Sequence, residues 1–88
     1  MKVEFIKKFK KDLIALKGSG IGKDVTEIIN QVKTAEKLSD IKDMKKLQGH
    51  DNAFRIKVND YRIGVFITND EVTFSRVKHR KDIYRKFP

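Results

Sequence analysis

Residues 53–67 read Ala53-Phe54-Arg55-Ile56-Lys57-Val58-Asn59-Asp60-Tyr61-Arg62-Ile63-Gly64-Val65-Phe66-Ile67, and they decide the fold. Phe54, Ile56 and Val58 alternate with Arg55 and Lys57, the period-two pattern of a strand with one buried face. Tyr61, Ile63, Val65 and Ile67 repeat it against Arg62, Gly64 and Phe66. Asn59-Asp60 has the chemistry of a two-residue turn, so the two strands form a hairpin. Such a turn fixes the register. Val58 pairs with Tyr61, Ile56 with Ile63 and Phe54 with Val65 on the core face. On the other face Lys57 meets Arg62, and Arg55 meets Gly64. Asn69-Asp70 is a second turn signal, and Val72 and Phe74 begin a third strand.

Upstream the period is helical. Val3, Phe5 and Ile6 read as a short opening strand. Phe9, Leu13 and Leu16 then recur at helical spacing, and Gly18-Ser19-Gly20 ends that helix. A second helix is expected from Lys23 to Leu38, with Val25, Ile28, Ile29, Val32 and Ala35 on one stripe. Residues 39–53 read as an irregular link, and residues 80–88 as a basic tail with one helical turn. The expectation is one α+β domain over residues 1–88. A helical hairpin covers one face of a small antiparallel sheet, and the other face is open.

Composition narrows the function. The formal net charge is +9 and the pI near 9.9, which suit an anionic partner. All five arginines, Arg55, Arg62, Arg76, Arg80 and Arg85, follow residue 54, whereas the first 54 residues hold twelve lysines. Arginine grips phosphate through two parallel hydrogen bonds, so the bias marks a place where an anion is held. The chain has no cysteine, which removes disulfides and thiolate chemistry and fits a reducing cytoplasm. No apolar run reaches membrane-spanning length, and Met1 to Phe5 is no signal peptide. Two separated histidines, His50 and His79, do not make a transition-metal site. The scattered acids do not suit a magnesium nuclease, and no phosphate-cradling glycine-lysine-serine motif is present. No cofactor is expected.

The open face carries the chemistry. Lys57 opposite Arg62 costs folding energy on a bare sheet, and an anionic ligand would offset that cost. Gly64 within a strand marks a close approach by a ligand or another backbone. Counting from the second turn places Ser75 opposite Gly64 on the same face. Arg76 then lies opposite Ile63 on the core side, unless a bulge near Ser75 turns it outward, and it reads as structural. The tail adds Lys78, His79, Arg80, Lys81, Tyr84 and Arg85. His79 can exchange protons near neutral pH. Tyr84 can hydrogen-bond or stack on a base. His50 reads as a surface residue. This inventory suits metal-free cleavage of RNA. The ribose 2′-hydroxyl attacks the adjacent phosphate, cations stabilise the phosphorane, and a side chain protonates the leaving 5′-oxygen.

The chain resembles the RelE/ParE superfamily of type II toxins. The resemblance runs from Val3 to Arg85 and is carried by Lys45 to Gly49, Phe54 to Ile63 and Arg76 to Arg85. It implies a metal-independent endoribonuclease that cuts messenger RNA, often on the ribosome, and so inhibits translation. By motif position, Arg62 and Arg80 would bind phosphate and stabilise the transition state. Arg55 and Lys57 would assist binding, with Lys57 helping a proton transfer, and Tyr84 would orient the 2′-hydroxyl or stack. His79 would be an acid or base, and Lys78, Lys81 and Arg85 would bind RNA. Lys78 departs from the glycine common before this histidine. The resemblance also implies an acidic antitoxin partner and a toxin–antitoxin hetero-oligomer. A gyrase-directed toxin of the ParE branch, or a silent homologue that only binds its antitoxin, are the alternatives.

Overall fold

A computed structural model describes residues 1–88. The order is β1 (Lys2–Phe5), α1 (Lys7–Ala15), α2 (Ile21–Thr34), a 3₁₀ turn (Leu38–Asp40), β2 (Met44–Lys46), β3 (Ala53–Val58), β4 (Tyr61–Thr68), β5 (Glu71–His79) and α3 (Ile83–Lys86). The five strands form one sheet in the order β1-β5-β4-β3-β2. No helix is long and apolar enough to cross a membrane.

The β3–β4 hairpin has the expected register from Val58–Tyr61 to Arg55–Gly64. Asn59 and Asn69 take the left-handed conformation that the two turns require, at φ 54° each, a region asparagine tolerates. Four expectations are corrected. The sheet is mixed, because β1 runs parallel to β5, with Val3 beside Val72 and Phe5 beside Phe74. The link over residues 39–53 contains a strand, β2, which pairs Lys45 with Arg55. The second helix starts earlier and stops at Thr34, where Ala35 turns extended. Gly20 precedes it at φ 83°, a conformation that favours glycine.

The fourth correction moves side chains between faces. Val65 pairs with Phe74, but Gly64 pairs with Arg76, so Ser75 is an extra residue in β5. Beyond this bulge the face assignment reverses. Val77 returns to the core beside Ile63, and Arg76 and Lys78 come to the other face opposite Gly64 and Arg62. The driving force is apolar burial. Val72, Phe74 and Val77 are fully buried, and their spacing of two and then three requires one additional residue. Ser75 does not reach the open face. It is buried, and its hydroxyl makes no hydrogen bond.

The main core lies between the helices and the face bearing Ile56, Ile63, Val65, Val72, Phe74 and Val77, with Phe9, Val25 and Val32 from α1 and α2. Phe74 touches the rings of Phe5 and Phe9 at centroid separations of 5.3 and 5.4 Å. A smaller cluster of Ala53, Ile83 and Phe87, backed by Leu47 and Phe66, covers part of the opposite face. That face is therefore only half open.

Candidate functional site

The half left open by the tail is cationic. Register aligns Lys57, Arg62 and Lys78 in one row across β3, β4 and β5. The adjacent row holds Lys45, Arg55, Gly64 and Arg76. Without the Ser75 bulge, neither Arg76 nor Lys78 would stand in these rows.

The cations differ in what already neutralises them. Arg76 and Lys78 share one carboxylate, that of Asp12 on α1. β1 ends opposite Phe74, which leaves the rest of the β5 edge without a neighbouring strand, and α1 packs along β5 there. The Asp12 carboxylate accepts the Val77 backbone N–H at 3.1 Å. It also accepts Arg76 Nε at 2.8 Å, Arg76 Nη2 at 3.0 Å and Lys78 Nζ at 3.2 Å. Burial pushes the Asp12 carboxyl up, but Arg76, the Val77 N–H and Lys78 together outweigh burial and hold it below its ordinary value. The Asp12 hydrogen bond pushes the Arg76 guanidinium up, against desolvation. Arg76 is thus turned outward by the bulge, not placed on the core side, and what it binds there is the Asp12 carboxylate.

Arg55, Lys57 and Arg62 have no such partner. None is among the five ion pairs of the molecule. Arg55 donates to the Asp43 carbonyl at 3.3 Å. Arg62 donates through one nitrogen to the carbonyls of Asn59 and Tyr61, both at 2.9 Å. These bonds orient the guanidinium and leave its full charge in place. Lys57 is exposed between them in register.

Arg80 leaves β5 with its N–H bonded to the Asp60 carbonyl at 2.7 Å, so it sits at the hairpin turn. Its contact with the Asp60 carboxylate is 3.9 Å between two exposed side chains, too loose to hold it. Lys81 is exposed, Arg85 pairs with Asp82, and Tyr84 projects outward from α3. Lys78, Asp82, Arg85 and Lys86 line a cleft of about 280 Å³ that joins α3 to the first row. His79 stands apart. It is opposite Tyr61, on the core side of the register, and the two rings meet edge to face at 5.5 Å. His79 Nδ1 accepts the Lys81 N–H at 3.2 Å, which leaves only Nε2 for a proton transfer. His50 is on the surface.

Two expected members of the groove are absent from it. Ser75 is buried, and Gly64 is covered by the Phe87 ring of the same chain. Two residues escaped the sequence reading, Asp12 and Phe87. Asp12 did leave a signal. It is the one acid in a helix of lysines, three residues after Phe9 and therefore on the buried stripe. Three uncompensated cations share the outer face, a loosely held arginine lies at the hairpin turn, and a phenol projects from α3. Together they can bind a polyanion and stabilise added negative charge at a phosphate.

No family model matches the chain. A curated protein called Toxin RelE3, from Methanocaldococcus jannaschii, is 45% identical over the full length of both chains. The structure of a RelB–RelE antitoxin–toxin complex from Methanococcus jannaschii contains a chain 41% identical, with a TM-score of 0.79 over 97% of this chain and 99% of that one. A RelE–RelB complex from Pyrococcus horikoshii has a chain only 19% identical, with a TM-score of 0.72 over 93% of this chain and 97% of that one, a likeness of fold.

Proposed function

The chain belongs to the RelE toxin family, and from that premise we propose that it is a metal-independent endoribonuclease that cuts messenger RNA on the ribosome and so inhibits translation. One observation carries the reading. Arg55, Lys57 and Arg62 stand side by side on one face with no carboxylate to neutralise them. Like charges in that arrangement destabilise the free protein, and a phosphate backbone between them reverses the sign of the effect.

In this reading Arg62 and Arg80 flank the scissile phosphate. The 2′-oxygen bonds to phosphorus and the bond to the 5′-oxygen breaks, giving a 2′,3′-cyclic phosphate and a free 5′-hydroxyl. Lys57 serves the proton transfers, Tyr84 orients the 2′-hydroxyl or stacks on a base, and Arg55, Lys78, Lys81 and Arg85 hold the flanking backbone. His79 takes a lesser part, because its ring is turned toward Tyr61. The free toxin is held in check by an acidic antitoxin that covers the cationic face in a hetero-oligomer, and the protein acts in the cytoplasm.

The test is a purified translation reaction with EDTA kept below the magnesium that ribosomes require, so that only more tightly chelated transition metals are removed, with cleavage mapped on the message. Cuts are expected, and Arg62→Ala should lower their rate by about 100-fold, the usual effect of removing one transition-state donor. An intact message in an active reaction would refute the proposal.

A further inference from the structure

The segment after β5 turns back across the sheet. Asp82 donates its N–H to the His79 carbonyl at 2.8 Å, α3 follows, and Phe87 donates to the Ile83 carbonyl at 2.7 Å. Isolated helices shorter than roughly 12–15 residues are marginal in water, so a four-residue turn takes its shape from what it docks against. Ile83 and Phe87, four residues apart, share the buried side, 0% and 3% exposed. Phe87 meets the Phe66 ring at 5.0 Å. Tyr84, on the other side of the turn, is 58% exposed.

The seat of Phe87 is Gly64. A Cβ at this position would lie 2.5 Å from Phe87 Cγ and 2.6 and 2.8 Å from its two Cδ atoms. Those atoms belong to a buried ring, so any other residue at position 64 evicts it. Gly64 does not have a left-handed backbone, so space and not conformation requires the glycine. Gly64 lies in register between Arg55 and Arg76, two residues along β4 from Arg62, which is about 7 Å in a strand. The seat therefore pins the tail one pleat repeat from the uncompensated cations.

We propose that Gly64 and Phe87 form a positioning lock that holds α3 so that Tyr84 and Arg85 stand beside Arg55, Lys57 and Arg62. The lock rests on the ribonuclease reading for its purpose and on the geometry at Gly64 for its existence. Neither residue touches RNA. Phe87 acts through the tail, and Gly64 acts through Phe87.

The experiment compares the full chain with Phe87→Ala, Gly64→Ala and the double variant. Hydrogen exchange at residues 80–87 reads docking without RNA, and cleavage kinetics on programmed ribosomes read the consequence. Each single variant should exchange its tail amides about 10-fold faster or more, while β3 to β5 stay protected. Each should lose about 10- to 100-fold in kcat with KM within about 3-fold, the signature of misplaced groups and not of lost binding. The double variant should be no worse than either single one, since all three open the same seat. A freed tail with unchanged kcat, a tail still protected in both variants, or multiplicative losses in the double variant would each overturn the lock. Phe87 belongs to a separate cluster of three buried residues, so Phe87→Ala keeps the comparison available should Gly64→Ala fail to fold. Unfolding of both would make the seat part of the core and overturn the proposal as well. A wild-type chain that cleaves nothing refutes the ribonuclease reading and the positioning role with it, whereas the exchange data decide independently whether Gly64 holds the tail.

Discussion

Replacing Asp12 by asparagine removes one negative charge from a carboxylate shared by Arg76, Lys78 and the Val77 N–H. The amide keeps the volume and one acceptor oxygen. Its NH₂ group then faces donors, and two cations lose their counter-charge. Breaking one side of a fully buried ion pair costs about 3–5 kcal/mol. Here the Arg76 and Lys78 side chains are 15% and 30% exposed and recover part of their hydration, against 6% for Asp12. The expected loss at pH 7 is therefore about 2–3 kcal/mol. In a domain of this size, each kcal/mol lowers the Tm by about 4–8 °C, so the drop is about 8–24 °C. Urea unfolding supplies the free energy, and a cycle with Arg76→Met isolates the pair, with a coupling of about 1 kcal/mol or more.

The same carboxylate gives a pH signature. Its folded pKa is held below the ordinary value of 3.8. A depressed folded pKa stabilises the native state fully above 3.8, and the contribution is lost as pH falls through the lower folded value. The stability gap between wild type and Asp12→Asn should thus be constant from pH 7 down to about pH 5 and narrow below 3.8. A loss under about 0.5 kcal/mol at pH 7, the size of an ordinary surface substitution, would refute the reasoning, as would a gap that does not narrow in acid.

Deleting Ser75 removes the extra residue, and strict alternation then keeps Phe74 and Val77 in the core and Arg76 and Lys78 on the outer face. The variant should therefore fold and keep both cationic rows, as read by circular dichroism and yield, and a chain that fails to fold would refute the assignment of Ser75 as the extra residue. RNA binding should weaken with salt at a log–log slope of about −4, from phosphate contacts at Arg55, Arg62, Lys78, Arg80, Lys81 and Arg85. Substituting Arg55 by alanine should lower the slope by about 0.7, and an unchanged slope would remove Arg55 from the interface.

The sequence by itself determined the β3–β4 hairpin and therefore the pairing of Lys57 with Arg62, because a two-residue turn and a strict period of two admit one register. It also determined the helical hairpin, since Phe9 and Leu13 on α1 and Val25 and Val32 on α2 repeat at helical spacing on either side of a glycine-rich break. Local periodicity reports which face is buried, and it reports nothing about partners far along the chain. The opening strand at Val3 and Phe5 is legible, but its pairing escapes, because joining β5 in parallel depends on a free edge 69 residues away at Lys2–Glu71. Asp12 with Arg76, 64 residues apart, escapes it for the same reason. The bulge was half legible, as a break in the spacing of Val72, Phe74 and Val77, but only the packed sheet decides that Ser75 is the extra residue. Gly64 shows the limit most plainly. The sequence marks a close approach there, and only the tertiary structure decides that the visitor is Phe87 of the same chain, because burial of that ring requires the one strand position without a side chain.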